Sequence, residues 1–239
     1  MKKSEIIDAI NNEANPLRAF HSQKFFKTGK GEYAEGDIFL GLTVPQQRKI
    51  ALKYKDISLN EIQKLLGSKI HEYRFIALVL IVNRFKKSRD YTEKEELINF
   101  YLANTKNINN WDLVDSSARI LGEYLSDKNR STLYNLAMSQ NLWEQRIAII
   151  ATSYFIDNHQ FEDTLKISEI LLNHHHDLIH KAVGWMLREV GKKDISIERE
   201  FLDKHYKSMP RTMLRYAIER FPENLRLQYL NRPLTTIEK

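Results

Sequence analysis

The stretch NNWDLVDSS, residues 109–117, places an aromatic residue and an acid one helical turn apart. Trp111 precedes Asp115 by four residues, so the two side chains project from neighbouring positions on one side of a predicted helix. A carboxylate in such a place can stabilise a developing positive charge and orient a water molecule. The simpler interpretation makes Asp115 an acid at a helix start, where the helix dipole favours it. Asp112 lies closer to that start and suits this role better, and both interpretations of Asp115 stay open from the residues alone.

A second tryptophan lies between two cations in the stretch HKAVGWMLREV. On a helical projection, Lys181, Trp185 and Arg188 lie opposite the aliphatic stripe of their segment. Arg146 and Arg215 likewise lie away from the apolar stripes of two other predicted helices. Cations for phosphates and aromatic rings for bases or sugars are what a nucleic-acid cleft needs. Taken singly, each cation also fits a solvated surface charge, and Trp185 also fits packing against a neighbouring repeat.

Helices are the elements that must carry these residues. Glycine and proline are sparse and alternating strand patterns are nearly missing, so the chain is predicted to be all-α. Five similar apolar segments recur along the chain, beginning at Glu72, Trp111, Trp143, Ile179 and Arg211. Their irregular spacing is typical of an α-solenoid of HEAT-like helical repeats. Stacked in parallel, the inner helices would present the off-core residues on one concave, basic, DNA-binding face, whereas Trp143 falls on its apolar stripe and is predicted to lie in the core.

The remaining segments divide into outer helices and a distinct N-terminal region. TEKEELINFYLANT and FEDTLKISEILLN are polar and amphipathic, as expected of an outer layer of helices. The N-terminal stretch FFKTGKGEYAEGDIFLGLTVPQQRKIA is glycine-rich and then places Pro45 at a predicted helix start. No linker or low-complexity segment interrupts the chain. We therefore predict a single domain over residues 1–239, with a distinct helical region over 1–55 and repeats over 56–232.

Composition limits the classes of protein to which the chain can belong. Lysine and arginine total 37 against 31 acids, for a net charge of +6, which permits a polyanionic partner. Cysteine is absent, so disulfides and cysteine-based zinc sites are excluded. No apolar stretch approaches the roughly 20 residues of a membrane span, and the N-terminus has no apolar signal core. A cytoplasmic protein that does not act at a membrane is the expectation.

Two local patterns resemble ligand sites but predict none. His176 and His180 have a spacing that could hold a metal, yet the stretch NHHHDLIH better fits a polar loop and a helix start. KTGKGEYAEG is glycine-rich but lacks the pattern of a phosphate-binding loop, and no predicted strand precedes it. No nucleophile elbow or cysteine nucleophile is present. We expect neither a metal nor a cofactor.

In this order and spacing, NWDLVDSS, LWEQRIAII and HKAVGWMLREVGK resemble motifs of the AlkD-type DNA alkylation-repair glycosylases, a family of HEAT-like α-solenoids. The flanking segments FFKTGKGEYAEGDIFLGLTVPQQR and MPRTMLRYAIERFP are similar to the family's own, so the resemblance covers nearly the whole chain. It implies a monofunctional, monomeric DNA glycosylase of base excision repair. The implied substrates are N3- and N7-alkylated purines, such as 3-methyladenine and 7-methylguanine, in double-stranded DNA.

The resemblance also implies roles for particular residues. It makes Asp115 the catalytic carboxylate, places Trp111 and Trp185 beside the lesion, and gives Arg146 a contact with DNA next to it. Asn110 departs from members that carry a second aromatic residue at that position, which bears on lesion preference. The basic face adds three further candidate DNA contacts, which are Lys181, Arg188 and Arg215.

The implied chemistry agrees with the residue types. Alkylation at N3 or N7 makes the purine cationic, so the base leaves as a neutral molecule without a strong general acid. The oxocarbenium-like sugar that remains can be stabilised by a carboxylate and by the faces of tryptophan rings. No lysine is assigned as a Schiff-base nucleophile, which disfavours lyase activity. The alternatives are a non-catalytic solenoid that binds damaged or branched DNA, and a solenoid that binds only proteins.

Overall fold

The computed structural model describes residues 3–231; residues 1–2 and 232–239, including the predicted end of the repeats at residue 232, lie outside the described residues. Within that range every regular element is a helix, and the β pairing is limited to an isolated bridge between Ile38 and Ile70. The all-α prediction is therefore confirmed. Across residues 3–231, no helix is both long enough and apolar enough to cross a membrane.

The described residues divide into two compact units, with the boundary between Ser117 and Ala118. The first unit contains helices α1 (Lys3–Asn11), α2 (Pro16–Phe25), α3 (Val44–Lys53), α4 (Leu59–Leu66), α5 (His71–Lys87), α6 (Tyr91–Ala103) and α7 (Trp111–Ser117), with a 3-10 turn at Thr105–Asn107. Helix α5 is the centre of this unit, because most of its residues are buried and α3, α4, α6 and α7 pack against it. Helix α2, in contrast, contains no buried residue.

Capping residues fix the helix starts that follow the glycine-rich segment. Thr43 and Gln46 form a reciprocal capping box at the start of α3, with Pro45 in the first turn. Ser58 and Glu61 form the same arrangement at α4. Proline is tolerated in the first turn because its missing N–H would have no partner there. The helix start predicted at Pro45 is confirmed.

The second unit contains helices α8 (Arg119–Tyr124), α9 (Ser131–Ala137), α10 (Leu142–Ala151), α11 (Ser153–Asp157), α12 (Glu162–Ile170), α13 (Asp177–Lys193), α14 (Ile195–His205), α15 (Arg211–Ala217) and α16 (Glu223–Asn231), with a 3-10 turn at Ile218–Arg220. Helix α13 is its centre and packs against α10, α14 and α15. Gly184 permits a close approach, since a Cβ atom there would lie 2.4 Å from the carbonyl oxygen of Met213 on α15.

Two segments that the sequence predicts as continuous helices are broken at hydroxyl residues. The Trp143 segment ends a helix at Ala151 and begins another at Ser153, and the Thr152 hydroxyl donates to the carbonyl of Ile149 at 2.7 Å. The Trp111 segment ends α7 at Ser117, whose hydroxyl donates to the carbonyl of Leu113 at 2.6 Å. Such bonds compete with the helical ladder and bend or end a helix. Apolar periodicity carries no information about them.

The single domain over 1–239, its division at residues 55 and 56, and the concave basic face of a solenoid stay predictions.

Candidate functional site

The start of α7 is fixed by two polar side chains. Asn110 is fully buried before the helix, and its Oδ1 accepts a hydrogen bond from the backbone nitrogen of Trp111 at 2.8 Å. Asp112 lies in the first turn, where its Oδ1 accepts from the backbone nitrogen of Leu113 at 2.9 Å. The role of first-turn acid thus belongs to Asp112, as the sequence predicts.

Trp111 and Asp115 lie one turn apart on α7, and both are half-buried. The neighbouring core contains Tyr101, whose hydroxyl lies 3.2 Å from the Ser117 hydroxyl oxygen. Burial raises the pKa of Tyr101, and the negative charge of Asp115 raises it further. The carboxylate of Asp115 is therefore close to a largely apolar interior, where a charge acts more strongly than it does in water.

Trp111 belongs to an aromatic stack that the sequence analysis missed. Its ring is stacked on Phe26 at a centroid distance of 5.3 Å, and Phe26 is stacked on Phe39 at 4.9 Å. Phe39 is stacked in turn on His71 at 4.5 Å. Phe25 meets Trp111 edge-on at 5.9 Å and is 65% exposed. The signal for this stack was the pair of phenylalanines that opens the glycine-rich stretch, and that stretch carries no helical periodicity.

A buried set of charges lies behind the stack. The Nε2 of His71 is 2.8 Å from Asp112 Oδ2, and its Nδ1 is 3.4 Å from Asp37 Oδ2. Arg74 donates to the same Asp37 oxygen at 2.5 Å and to the carbonyl of Ser68 at 3.0 Å.

Hydrogen bonds within this set oppose the effect of burial on its pKa values. Burial alone would raise the pKa of Asp37, but the bond with His71 and the charge of Arg74 hold it below its usual range. Burial alone would lower the pKa of His71, but the bonds with Asp112 and Asp37 raise it above the ordinary value. Both shifts favour the charged forms of these side chains.

Glu72 holds the end of the glycine-rich segment against α5. Its buried carboxylate accepts hydrogen bonds from the backbone nitrogens of Leu40 at 3.0 Å, Gly41 at 2.7 Å and Leu42 at 3.3 Å. Gly41 adopts a positive φ of 84°, and a Cβ atom there would lie 2.3 Å from the carbonyl oxygen of Asn15. This backbone conformation therefore needs glycine.

In the second unit, Arg146 differs from the exposed cation that the helical projection suggests. It is 4% exposed, and its guanidinium donates to the backbone carbonyl of Leu178 at 2.5 Å. Helix α10 packs against α13, and the carbonyl of Leu178 in the first turn of α13 offers this side chain a buried acceptor. Trp143 on the same helix is 7% exposed, so its prediction as a core residue is confirmed.

Helix α13 carries three predicted site residues, each with an acidic partner. Trp185 is half-buried, and its indole N–H donates to Glu189 at 3.1 Å. Lys181 donates to Asp177 at 2.8 Å.

Arg188 contacts Glu219 and Glu189. Arg215 on α15 is exposed and makes no ion pair with any residue in the described range 3–231. The structure thus brings Lys181, Trp185 and Arg188 onto one helix.

The histidine stretch forms a helix start, as predicted. His176 precedes α13 and its Nδ1 accepts from the backbone nitrogen of Leu178 at 3.1 Å. His180 contacts the carbonyl oxygen of His174 through Nε2. A cavity of about 520 Å³ lies beside this stretch, but none of the predicted DNA-contacting or catalytic residues line it.

Comparison with protein families and solved structures gives consistent matches. A family described as "DNA alkylation repair enzyme" matches residues 6–221. A predicted DNA alkylation repair enzyme from Enterococcus faecalis matches with a TM-score of 0.69 and 16% identity, over 88% of this chain and 98% of that one. Comparison with curated proteins gave no match.

Two structures from Streptococcus mutans are also similar. AlkD2 has a TM-score of 0.51 and 18% identity, over 87% of this chain and 98% of its own. The protein smu.31 has a TM-score of 0.50 and 19% identity, over 79% of this chain and 92% of its own. At these identities the similarity establishes the fold alone.

Proposed function

Because the chain belongs to the family of DNA alkylation repair enzymes, we propose that it is a monofunctional DNA glycosylase of base excision repair. Its substrates are cationic N3- and N7-alkylated purines in duplex DNA, including 3-methyladenine and 7-methylguanine. It hydrolyses the bond between the base and the deoxyribose, and acts as a monomer on chromosomal DNA in the cytoplasm.

The observation that carries the proposal is the pairing of Trp111 and Asp115 on α7. Both side chains are half-buried, so each can meet a ligand while the interior beside them limits solvent screening. The alkylated purine leaves as a neutral base and leaves positive charge on the sugar. The Asp115 carboxylate stabilises that charge and orients the attacking water. The ring face of Trp111 adds an attraction of roughly 0.5–2 kcal/mol for a cation.

The cations of the second unit supply contacts with DNA in this proposal. Arg215 is exposed, and Lys181 and Arg188 reach phosphates by exchanging their carboxylate partners for phosphate oxygens. Trp185 contacts the sugar or base beside the lesion. Arg146 contacts DNA only if its guanidinium turns from the carbonyl of Leu178, so its main role is to fix α10 against the start of α13.

The deciding experiment measures release of 7-methylguanine and 3-methyladenine from methylated duplex DNA. We expect release by the wild type and its loss in Asp115→Asn, with binding to undamaged duplex retained. Asp56→Asn is the matched control, since its side chain is 81% exposed and belongs to the same unit. A folded wild type that binds DNA but releases neither base would favour the alternative of non-catalytic binding to damaged DNA.

Salt dependence separates both DNA-binding functions from a solenoid that binds only proteins. Contacts with phosphates release counterions, so the logarithm of the binding constant for duplex DNA must fall linearly with the logarithm of salt concentration. Affinity that does not change with salt would contradict any phosphate-tracking surface on this chain.

A further inference from the structure

The buried charges of the first unit have a geometry that specifies the protonation state of His71. Both ring nitrogens face carboxylate oxygens, Nε2 at 2.8 Å from Asp112 and Nδ1 at 3.4 Å from Asp37. An ionised carboxylate only accepts hydrogen bonds, so two carboxylates beside the two ring nitrogens favour a ring that is protonated at both. The guanidinium of Arg74 also lies 3.5 Å from Nδ1, but the bonds to Asp112 and Asp37 outweigh it and raise the pKa of His71, so the ring is an imidazolium.

Charge balance supports the same conclusion. The imidazolium and Arg74 supply two positive charges, and Asp37 and Asp112 supply two negative charges. A neutral ring would leave Asp112, whose side chain is 17% exposed, without a counter-charge in this set, because Arg74 already pairs with Asp37. Burying an unpaired charge is strongly unfavourable. The buried carboxylate of Glu72 lies outside this set of four and is stabilised separately by hydrogen bonds from three backbone N–H groups.

The same ring is connected to Trp111 in two ways. Asp112, its hydrogen-bond partner, is the next residue after Trp111 and lies in the first turn of α7. Its flat face is stacked on Phe39, which continues through Phe26 to the indole ring. Polar contacts and ring contacts thus lead from one buried histidine to the start of the helix that bears Asp115.

We infer that the His71 imidazolium is a positioning residue for base excision, which holds the start of α7 and the aromatic stack so that Trp111 and Asp115 meet the lesion in a fixed geometry. The inference rests on the proposed function. His71 does not contact the DNA or the reacting atoms. It acts through Asp112 and through Phe26, by limiting the positions that the indole ring can take.

This role makes the site sensitive to alkaline pH. The groups that face His71 are Asp37 from the glycine-rich segment, Arg74 from α5 and Asp112 from α7. Because the pKa of His71 is raised in the folded chain, its contribution is complete below the ordinary value of 6.5 and is lost as pH rises through the folded value. Above that point the bond to Asp112 is weakened, and α7 loses one of the contacts that hold its start.

The test follows the indole N–H resonance of Trp111 by NMR between pH 6 and 10, identified by its loss in Trp111→Phe. We expect this resonance to titrate in the wild type and to be insensitive in His71→Gln. The single-turnover excision rate should fall about ten- to a hundredfold in His71→Gln, as expected when catalytic groups are misplaced. Its dissociation constant for undamaged duplex should stay within about twofold, because the phosphate contacts are retained.

Two further variants separate positioning from stability. His71→Gln combined with Asp112→Asn restores charge balance among the buried groups, so the double variant should recover thermal stability but not the excision rate. The control is His205→Gln. His205 lies on α14 and is paired with Glu169 at 3.0 Å, and this variant should behave as the wild type.

Three outcomes overturn the inference: unchanged titration of the Trp111 resonance in His71→Gln, an unchanged excision rate in that variant, or full recovery of excision in the double variant. The last result would make His71 only a compensating charge. A wild type that releases no base while its Trp111 resonance titrates through His71 overturns the proposed function and retains the coupling between His71 and Trp111.

Discussion

The carboxylate of Glu72 accepts a hydrogen bond from the backbone nitrogen of Gly41 at 2.7 Å. The same carboxylate also accepts hydrogen bonds from the backbone nitrogens of Leu40 and Leu42. One buried side chain on α5 thus provides the acceptor for three consecutive N–H groups of the glycine-rich segment. The segment that carries Phe26 and Phe39 is consequently attached to the most buried helix of the first unit.

Replacing Glu72 with glutamine should destabilise the chain by about 2 kcal/mol, because charge-assisted bonds to backbone N–H groups become neutral ones and one amide N–H₂ is left facing donors. Thermal unfolding would measure the loss. Glu96→Gln on the exposed side of α6 is the control and should leave the unfolding temperature unchanged. Equal stability in both variants would show that the backbone turn does not need the Glu72 carboxylate.

Gly184→Ala should destabilise the second unit by about 2 kcal/mol, as other overpacked sites do. The added Cβ atom would lie 2.4 Å from the carbonyl oxygen of Met213 and 2.5 Å from the Cβ atom of Tyr216, so α13 and α15 must separate. Gly67→Ala is the control, in which the same substitution should not lower the stability. Its φ is −80° and its nearest neighbour would lie at 3.4 Å, so stability should hold or rise by about 0.5 kcal/mol. Urea denaturation measures the free energy of unfolding of both variants. A smaller loss of stability in Gly184→Ala than in Gly67→Ala would contradict the close contact between α13 and α15.

Glu198 should make the chain less stable as pH rises. Its carboxyl is buried, and its Oε1 has no hydrogen-bond partner among residues 3–231. Burial raises its pKa from 4.5 to about 9, against a lowering effect of Arg188. Because the folded chain binds a proton there that the unfolded chain has lost, stability from this group is complete below 4.5 and declines until pH reaches about 9.

The difference between wild type and Glu198→Gln isolates this group. Urea denaturation at pH 6 and pH 9 should show a smaller loss of stability in the variant, whose side chain is neutral at both values. Glu200→Gln, exposed on the same helix, should keep the wild-type dependence on pH. Parallel losses in all three proteins would place the carboxyl of Glu198 in water.

Glu219→Gln should strengthen binding to undamaged duplex DNA by about three- to tenfold at low salt, and should steepen the salt dependence by about one released counterion. The carboxylate now engages Arg188, and removing its charge leaves the guanidinium for a phosphate. Fluorescence anisotropy over a salt series is the measurement.

Glu169→Gln changes net charge equally, but its partners are Lys204 and His205 on α14. If both variants bind DNA with the same gain, net charge alone is responsible and Arg188 makes no specific contact with phosphate.

Periodicity and capping chemistry were sufficient to predict much of the fold. Both are local properties of the chain, which is why the helices, the start at Pro45, the core position of Trp143 and the first-turn role of Asp112 all agreed with the structure. Contacts between distant residues were not predictable in this way. Phe26 stacks on Trp111 across 85 positions of the chain, and no helical projection encodes such a pairing.

The burial of Arg146 was not predicted, for a related reason. A helical projection identifies the side of the helix away from the aliphatic stripe, but it does not reveal whether a neighbouring helix offers an acceptor there. The carbonyl of Leu178 is such an acceptor, so a cation on the polar side became buried. The helix breaks after Ala151 and Ser117 likewise coincide with bonds from a hydroxyl group to a carbonyl of the preceding turn, which periodicity does not encode.

Helix α2 has no buried residue, and this affects how the first unit exchanges its amide hydrogens with solvent. With so little apolar contact, its backbone should open locally, well before the global unfolding that α5 requires. Its tether includes a bond from Arg18 to the carbonyl of Gly41 at 2.7 Å, and the chain that leaves it carries Phe26 directly onto Trp111. A ligand that orders Trp111 through this ring contact should therefore also slow deuterium uptake along α2.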